Sequence, residues 1–319
     1  MNNYNLIGKL EHVTKSYNDV VALSDISFSI ERGQIIGFLG PNGSGKSTSI
    51  QLLLGLIKPQ AGSVSIFGVN PFYNSKMNNL VGYIPEESQF PKWMTAFDYL
   101  FQLARFNMDD EPARERTTQV LKEVELLDVA DKQVRKFSKG MRQRVKIAQA
   151  LLHKPALIIG DEPFNGLDPV VRQHMFDLFR KYRKEYNCTI FLSSHILFEI
   201  EKLADKIILV YKGRTIAQGT PSRIREMIQD QPHTIEIVTK EPKKLARILI
   251  DSYDFDVVSS IQFNENTRDE GIILNIKTTR PKIFYDRFTN LVVDNKLPIV
   301  QMRPTDEGLE SLFNTLTVG

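Results

Sequence analysis

The chain has 319 residues, 42% of them hydrophobic and 25% charged, proportions ordinary for a globular protein of about two domains. A net charge of +3, from 41 Lys and Arg against 38 Asp and Glu, singles out neither nucleic acid nor anionic lipid as a partner. No apolar run approaches the roughly 18 residues of a membrane-spanning helix, Met1 to Lys9 lacks the basic-then-apolar pattern of a signal peptide, and the single Cys188 can form no internal disulfide, which suits a reducing cytoplasm.

Leu10 to Tyr17 and Val20 to Ile30 alternate as strands do, and Glu31-Arg32-Gly33 reads as a turn. Tyr17 has two readings: a ring that stacks on a purine base, or a half-buried strand tyrosine. Gln34 to Leu39 predicts a short buried strand. It runs into Gly40-Pro41-Asn42-Gly43-Ser44-Gly45-Lys46-Ser47-Thr48, which fits the phosphate-binding pattern G-x-x-x-x-G-K-[ST]. The glycines let successive backbone N–H groups converge on one anion. Lys46 can reach the β- and γ-phosphates of a nucleotide, and the Ser47 hydroxyl can ligate Mg²⁺. Thr48 to Ile57 predicts a helix whose N-terminal dipole points at the phosphates.

Gly62 to Gly68 and Val81 to Glu87 predict two further strands. From Thr95 to His153 the pattern turns helical, with apolar stripes over Thr95 to Phe106 and Thr117 to Leu127. This predicts a helical insertion, about residues 92–153, between strands of one α/β domain. It closes on Phe137-Ser138-Lys139-Gly140-Met141, where Ser138 and the free N–H groups of a following helix, Val145 to Leu152, suit an anion or simply cap the helix.

Ala156 to Gly160 is an apolar strand ending in Asp161-Glu162-Pro163. After a phosphate loop, such a carboxylate pair suits a metal–nucleotide site: Asp161 to hold Mg²⁺, Glu162 to orient or deprotonate the attacking water. Asn165-Gly166-Leu167-Asp168-Pro169 turns into a helix from Val170 to Tyr186. Thr189 to Leu192 is another buried strand, and His195 follows it, at the strand end where open α/β sheets bind ligands. Thr220 to Met227 reads as a last helix and Asp230-Gln231-Pro232 as a linker. Beyond it the order is strand Thr234–Thr239, helix Pro242–Ser252, strand Val257–Phe263, strand Ile272–Ile276, helix Pro281–Asp294, strand Ile299–Met302 and helix Glu307–Leu316. This βαββαβα order predicts a small α+β, ferredoxin-like domain with an added helix.

Taken together, the motifs of Leu10 to Ile228 resemble the nucleotide-binding subunit of ATP-binding cassette (ABC) transporters. The resemblance implies a P-loop NTPase fold of α/β class and an ABC ATPase domain over residues 1–229. Residues 230–319 are then an accessory domain. It implies ATP and Mg²⁺ as cofactors and a head-to-tail homodimer that sandwiches two ATP molecules. In each site Lys46 and Ser47 of one subunit face Ser138 and Gly140 of the other. Tyr17 resembles the family's adenine-stacking aromatic, Glu162 its catalytic base, His195 its γ-phosphate sensor, and Asp168 the residue coupling the two sites.

Two positions depart from the family pattern. Phe137-Ser138-Lys139-Gly140-Met141 stands where the family has Leu-Ser-Gly-Gly-Gln, keeping the serine and the second glycine. Glu86 stands where the family has a glutamine near Mg²⁺; a carboxylate can also ligate the metal but adds negative charge beside the phosphates. Both variants resemble the exporter branch, whose ATPase sits on the cytoplasmic face of the membrane and drives a separate transmembrane permease subunit. The alternative is a soluble ABC ATPase acting on nucleic acid, ribosomes or cofactor assembly. The short spacing from loop to Ser138, the single cassette and the lack of a basic linker argue against it, so no nucleic-acid partner is expected.

Overall fold

In the computed structural model, residues 5–87, 90–91, 93–229, 233–268 and 271–304 are described. The chain divides into two compact units, Met1–Pro221 and Ser222–Gly319.

The first unit holds two sheets. Leu6–Tyr17 (β1) pairs antiparallel with Val20–Glu31 (β2) and Ala61–Ile66 (β4). The larger sheet is built on Ile35–Leu39 (β3), whose five residues are all buried. A continuous apolar run rather than an alternating one is what a strand covered on both faces requires. Around it the strand order is Val81–Ile84 (β5), Leu157–Gly160 (β6), Thr189–Ser194 (β7), β3, Lys206–Tyr211 (β8) and Arg214–Gly219 (β9). All pairings are parallel except β8 with β9. Phe28 of β2 meets Phe38 of β3 and Phe191 of β7 with ring centroids 5.1–5.7 Å apart, joining the two sheets through one aromatic core.

Lys46–Leu53 (α1) follows the phosphate loop. Between β5 and β6 the predicted insertion is present as Ala96–Ala104 (α2), Asp110–Glu123 (α3) and Lys139–Leu151 (α4). The helix expected at Thr117 to Leu127 begins earlier, where Asp110 and Glu111 put negative charge in its first turn, and it stops before Glu125, whose φ is +56°. The helix expected from Val145 starts at Lys139, because the Ser138 hydroxyl caps it by accepting from the Met141 amide at 3.2 Å. The strand expected to reach Glu87 ends at Ile84, just before Pro85, which has no amide hydrogen to pair.

Pro169–Tyr186 (α5) has Asp168 as N-cap, its Oδ1 accepting from Val170 and Val171 at 3.1 and 3.0 Å. It ends at Asn187, in the left-handed conformation common at helix C-termini. The short helix Leu197–Glu201 (α6) and the strands β8 and β9 complete the unit; sequence reasoning passed over these three elements. Ile207-Ile208-Leu209-Val210, all buried and followed by the Lys212-Gly213 turn, carries the signal that identifies β8. The parallel strands point their C-terminal ends to one edge, so the phosphate loop, Asp161 and His195 emerge side by side.

Pro221–Gln229 (α7) begins at the boundary between the units. The second unit holds His233–Thr239 (β10), Pro242–Ser252 (α8), Val258–Arg268 (β11), Gly271–Thr278 (β12), Pro281–Asp294 (α9) and Ile299–Pro304 (β13). Its strands form an antiparallel sheet in the order β11-β12-β10-β13. Ile235, Ile237, Leu274 and Ile276 of the sheet share a core with Leu245 and Leu249 of α8 and Phe284 and Phe288 of α9. The helix expected at Glu307 to Leu316 lies outside the described residues.

Candidate nucleotide site

The phosphate loop joins β3 to α1, and its backbone is shaped by close packing. Gly45 sits at φ +103°, and a Cβ there would lie 2.6 Å from Leu23 Cδ2 and 2.8 Å from the Ala22 carbonyl oxygen. No other residue satisfies both the torsion and the space. The loop is pinned by the Ser44 amide donating to the Pro41 carbonyl at 3.2 Å and the Gly213 amide donating to the Ser44 carbonyl at 2.9 Å. Lys46 is buried, and its ammonium donates to the loop's own carbonyls, Gly40 at 2.6 Å and Pro41 at 3.1 Å. Burial lowers its pKa below the ordinary lysine value, while the carboxylates of Glu162 and Asp161 oppose that shift.

Asp161 and Glu162 leave the end of β6. The Asp161 amide donates to the Ile84 carbonyl at 2.8 Å. Ser193, at the end of the neighbouring β7, fixes both residues: its hydroxyl donates to Asp161 Oδ1 at 2.6 Å and accepts from the Glu162 amide at 2.9 Å. Glu162 takes φ +48°, a conformation a non-glycine residue rarely adopts and one that re-aims its side chain. Its Oε2 lies 3.0 Å from His195 Nδ1, and its Oε1 lies 3.7 Å from Lys46 Nζ. Oε1 is buried and has no hydrogen-bond partner.

Lys46, Asp161 and Glu162 line a cavity of about 460 Å³ together with Tyr17, Val20, Val21, Asn42, Ser47, Thr48 and Glu86. Tyr17, the last residue of β1, is 44% exposed there. Its hydroxyl is 3.4 Å from Gln51 Oε1, and the Lys15 ammonium lies 5.4 Å from its ring centroid. The ring therefore stands at the cavity wall rather than inside the core. Ser47 and Asp161 put hard oxygen donors on the same wall, the donor type that Mg²⁺ prefers. Among the described residues no three His, Cys, Asp or Glu side chains form a metal cluster of their own. A Mg²⁺ here would complete its shell with phosphate oxygens and water.

Ser138, Gly140 and Asp168 do not line this cavity. They gather elsewhere: a Cβ on Gly140 would lie 3.0 Å from the Gly166 carbonyl oxygen, and Lys139 Nζ donates to Asn165 Oδ1 at 3.2 Å. Ser138 and Asp168 each cap a helix. His195 is also off the lining but reaches it through Glu162. Sequence reasoning missed Ser193, although two serines closing a wholly apolar strand are a readable signal: buried hydroxyls need partners. It also missed Glu199, a buried α6 carboxylate 2.5 Å from Arg172 Nη1, whose pKa is raised by burial against the pull of Arg172.

Residues 23–165 match the protein-family model described as ABC transporter. Over 315 residues the chain is 33% identical to the bacitracin transport ATP-binding protein BcrA of Bacillus licheniformis, spanning 98% of this chain and 97% of that one. The chain belongs to the ABC transporter ATP-binding proteins. As a member it is an ABC-type ATPase subunit whose hydrolysis is coupled to transport. Its fold matches a solved ATP-binding subunit of an ABC transporter with a TM-score of 0.63 and 31% identity, over 69% of this chain and 92% of that one. The ATP-binding cassette MJ0796, solved as a dimer in a post-hydrolysis state with ADP and Pi, matches with a TM-score of 0.63 and 26% identity, over 67% of this chain and 98% of that one. Among the described residues of this ABC ATPase, no helix is long and apolar enough to cross a membrane.

Proposed function

We propose that this subunit binds and hydrolyses ATP to power export through a separate transmembrane permease, working on the cytoplasmic face of the membrane. The observation that carries the reading is Glu162 Oε1, a buried carboxylate oxygen without a hydrogen-bond partner, 3.7 Å from the Lys46 ammonium at the wall of the loop's cavity. An unsatisfied buried acceptor is costly and calls for a ligand or water to complete it. With nucleotide bound, Lys46 and the loop amides of residues 40–48 hold the β- and γ-phosphates. Ser47 and Asp161, with Glu86 beside them, would hold Mg²⁺, which neutralises phosphate charge. Glu162 accepts a proton from the attacking water as its oxygen bonds to the γ-phosphorus, and the bond to the ADP oxygen breaks. His195, against Glu162, fixes that carboxylate and reads the γ-phosphate, and Tyr17 stacks on the base.

Ser138, Gly140 and Asp168 have no place in the cavity of their own chain. Their separate grouping supports a head-to-tail homodimer in which Ser138 and Gly140 face the partner's ATP and Asp168 couples the two sites, as does the dimeric state of the similar cassette. Similarity to a bacitracin transport protein along nearly the whole chain supports the exporter reading and includes the C-terminal unit. The strand order β13-β10-β12-β11, all antiparallel with both helices on one core, supports a ferredoxin-like topology for that unit. The test is Mg²⁺-dependent phosphate release by the purified protein, together with chromatography of Glu162→Gln in ATP. An ATP-bound dimer with slow turnover is expected. A variant that stays monomeric at high concentration, or that turns over at the native rate, overturns the reading.

A further inference from the structure

Helix α4 turns two polar side chains, Gln143 and Lys146, into the interior, where both are buried. They lie three residues apart and so share one face. Lys146 Nζ donates to the carbonyls of Pro85 at 2.9 Å and Glu86 at 2.6 Å. Gln143 Nε2 donates to the carbonyl of Pro163 at 2.7 Å. The first two carbonyls belong to the segment after β5 that brings Glu86 to the nucleotide cavity; the third directly follows Glu162. One helix thus grips both segments that deliver carboxylates to the site.

A cavity of about 240 Å³ lies between the Glu86 segment and the helix, lined by Glu86, Glu87 and Phe90 and by Lys139, Arg142, Gln143 and Lys146 of α4. The hydrogen bonds of Lys146 tie the Glu86 segment to the helix beside that gap. A buried ammonium with two carbonyl acceptors is also directional, because it fixes where two consecutive peptide planes point.

We propose that Lys146 is a positioning residue for ATP hydrolysis, holding the Glu86 segment on α4 so that the Glu86 side chain takes its place in the nucleotide site. This rests on the nucleotide-site reading given above. Since Ser138 caps α4, the same helix that would meet the partner's nucleotide sets the geometry of its own subunit's site. Lys146 does not line the nucleotide cavity, so its effect is on turnover rather than on affinity.

The experiment uses the full-length protein with Mg²⁺-ATP and compares Lys146→Met, Lys146→Arg, Glu86→Ala and the Lys146→Met/Glu86→Ala double variant. Lys146→Met keeps the stem and removes the donors; it is expected to lower kcat about tenfold with KM for ATP within about twofold, a split that marks a loss felt in the transition state. Lys146→Arg, which keeps donors, should recover most of the rate. In the double variant the loss should not exceed that of Glu86→Ala alone, because the two residues act as a unit. An unchanged kcat in Lys146→Met, or full additivity with Glu86→Ala, overturns the proposal. Should Lys146→Met fail to fold, Lys146→Gln takes its place with the same criteria. Glu162→Gln runs alongside: if it keeps the native rate, the nucleotide-site reading has failed, whatever Lys146 does.

Discussion

His195 Nδ1 and Glu162 Oε2 meet at 3.0 Å across the ends of two neighbouring strands, with Ser193 holding the Glu162 backbone from the same side. The contact leaves the other Glu162 oxygen without a hydrogen bond and places it 3.7 Å from Lys46 Nζ. Removing the charge while keeping the shape tests what that oxygen does. Glu162→Gln is expected to bind ATP and lose about 10²–10⁴-fold in hydrolysis, the usual contribution of a general base. His195→Ala should cost less than Glu162→Gln if the histidine acts by fixing the carboxylate, and the double variant should be no slower than Glu162→Gln. Single-turnover phosphate release measures all three. A double variant markedly slower than Glu162→Gln would show that His195 acts on its own.

Much of this site was legible because its chemistry is contiguous. The phosphate loop lies in nine consecutive residues, and Asp161-Glu162 closes a four-residue apolar strand, so spacing alone placed them at strand ends. What spacing could not show is which strand ends are neighbours. That β6 and β7 lie side by side, bringing Ser193 under Asp161 and His195 against Glu162, is a fact of strand order. The left-handed backbone of Glu162 is likewise invisible in a sequence, since glutamate carries no preference for it. In the C-terminal unit, helices α8 and α9 fell where their periodicity put them, each opening on a proline at the first turn. Nothing in the sequence singles out Lys146; only the fold shows that its ammonium is turned inward onto two carbonyls.

Glu86 is exposed and lines the same cavity as Asp161 and Glu162. Three carboxylates facing bound phosphates are an electrostatic cost, and Glu86→Gln removes one of them while keeping the shape. Hydrolysis is expected to stay within a few-fold of the native rate or to rise. Steady-state ATPase at fixed Mg²⁺ measures it, and a fall to the level of Glu162→Gln would make the Glu86 carboxylate itself catalytic.

His153 follows α4 and places Nε2 3.2 Å from the Val81 carbonyl oxygen. Burial lowers its pKa below 6.5; the Val81 bond opposes this and the Arg116 charge adds to it. The unfolded chain therefore takes up a proton near pH 6.5 that the folded chain accepts only at lower pH. Stability from this residue is full above pH 6.5 and falls as the pH drops from there through the folded pKa. His153→Gln, which can still donate to Val81, should show a shallower loss of stability between about pH 7 and 5 in urea unfolding. Identical pH slopes for the two proteins would mean the ring is not buried in its neutral form.

The insertion is fastened to the catalytic core by a buried network that sequence patterning does not reveal. Tyr182 of α5 is fully buried; its hydroxyl accepts from Arg116 Nη2 at 2.7 Å and donates to Glu123 Oε2 at 2.6 Å. Arg116 of α3 also donates to the carbonyls of Leu151 at 2.6 Å and Leu152 at 2.9 Å, closing the end of α4. Three helices thus meet at one guanidinium, and burial raises the Tyr182 pKa so that the hydroxyl stays a donor. Tyr182→Phe keeps the ring packed against Tyr186 and takes away only the oxygen. It leaves Arg116 short of an acceptor in addition to its already unpartnered Nη1, and Glu123 short of a donor. The expected loss is about 1–3 kcal/mol of unfolding free energy, the cost of leaving buried groups unsatisfied. Because the network touches none of the cavity residues, kcat and KM of the folded variant should match the native values. A variant as stable as the native protein would show that water satisfies Arg116 equally well; a stable but slow one would make the network part of the motor rather than its frame.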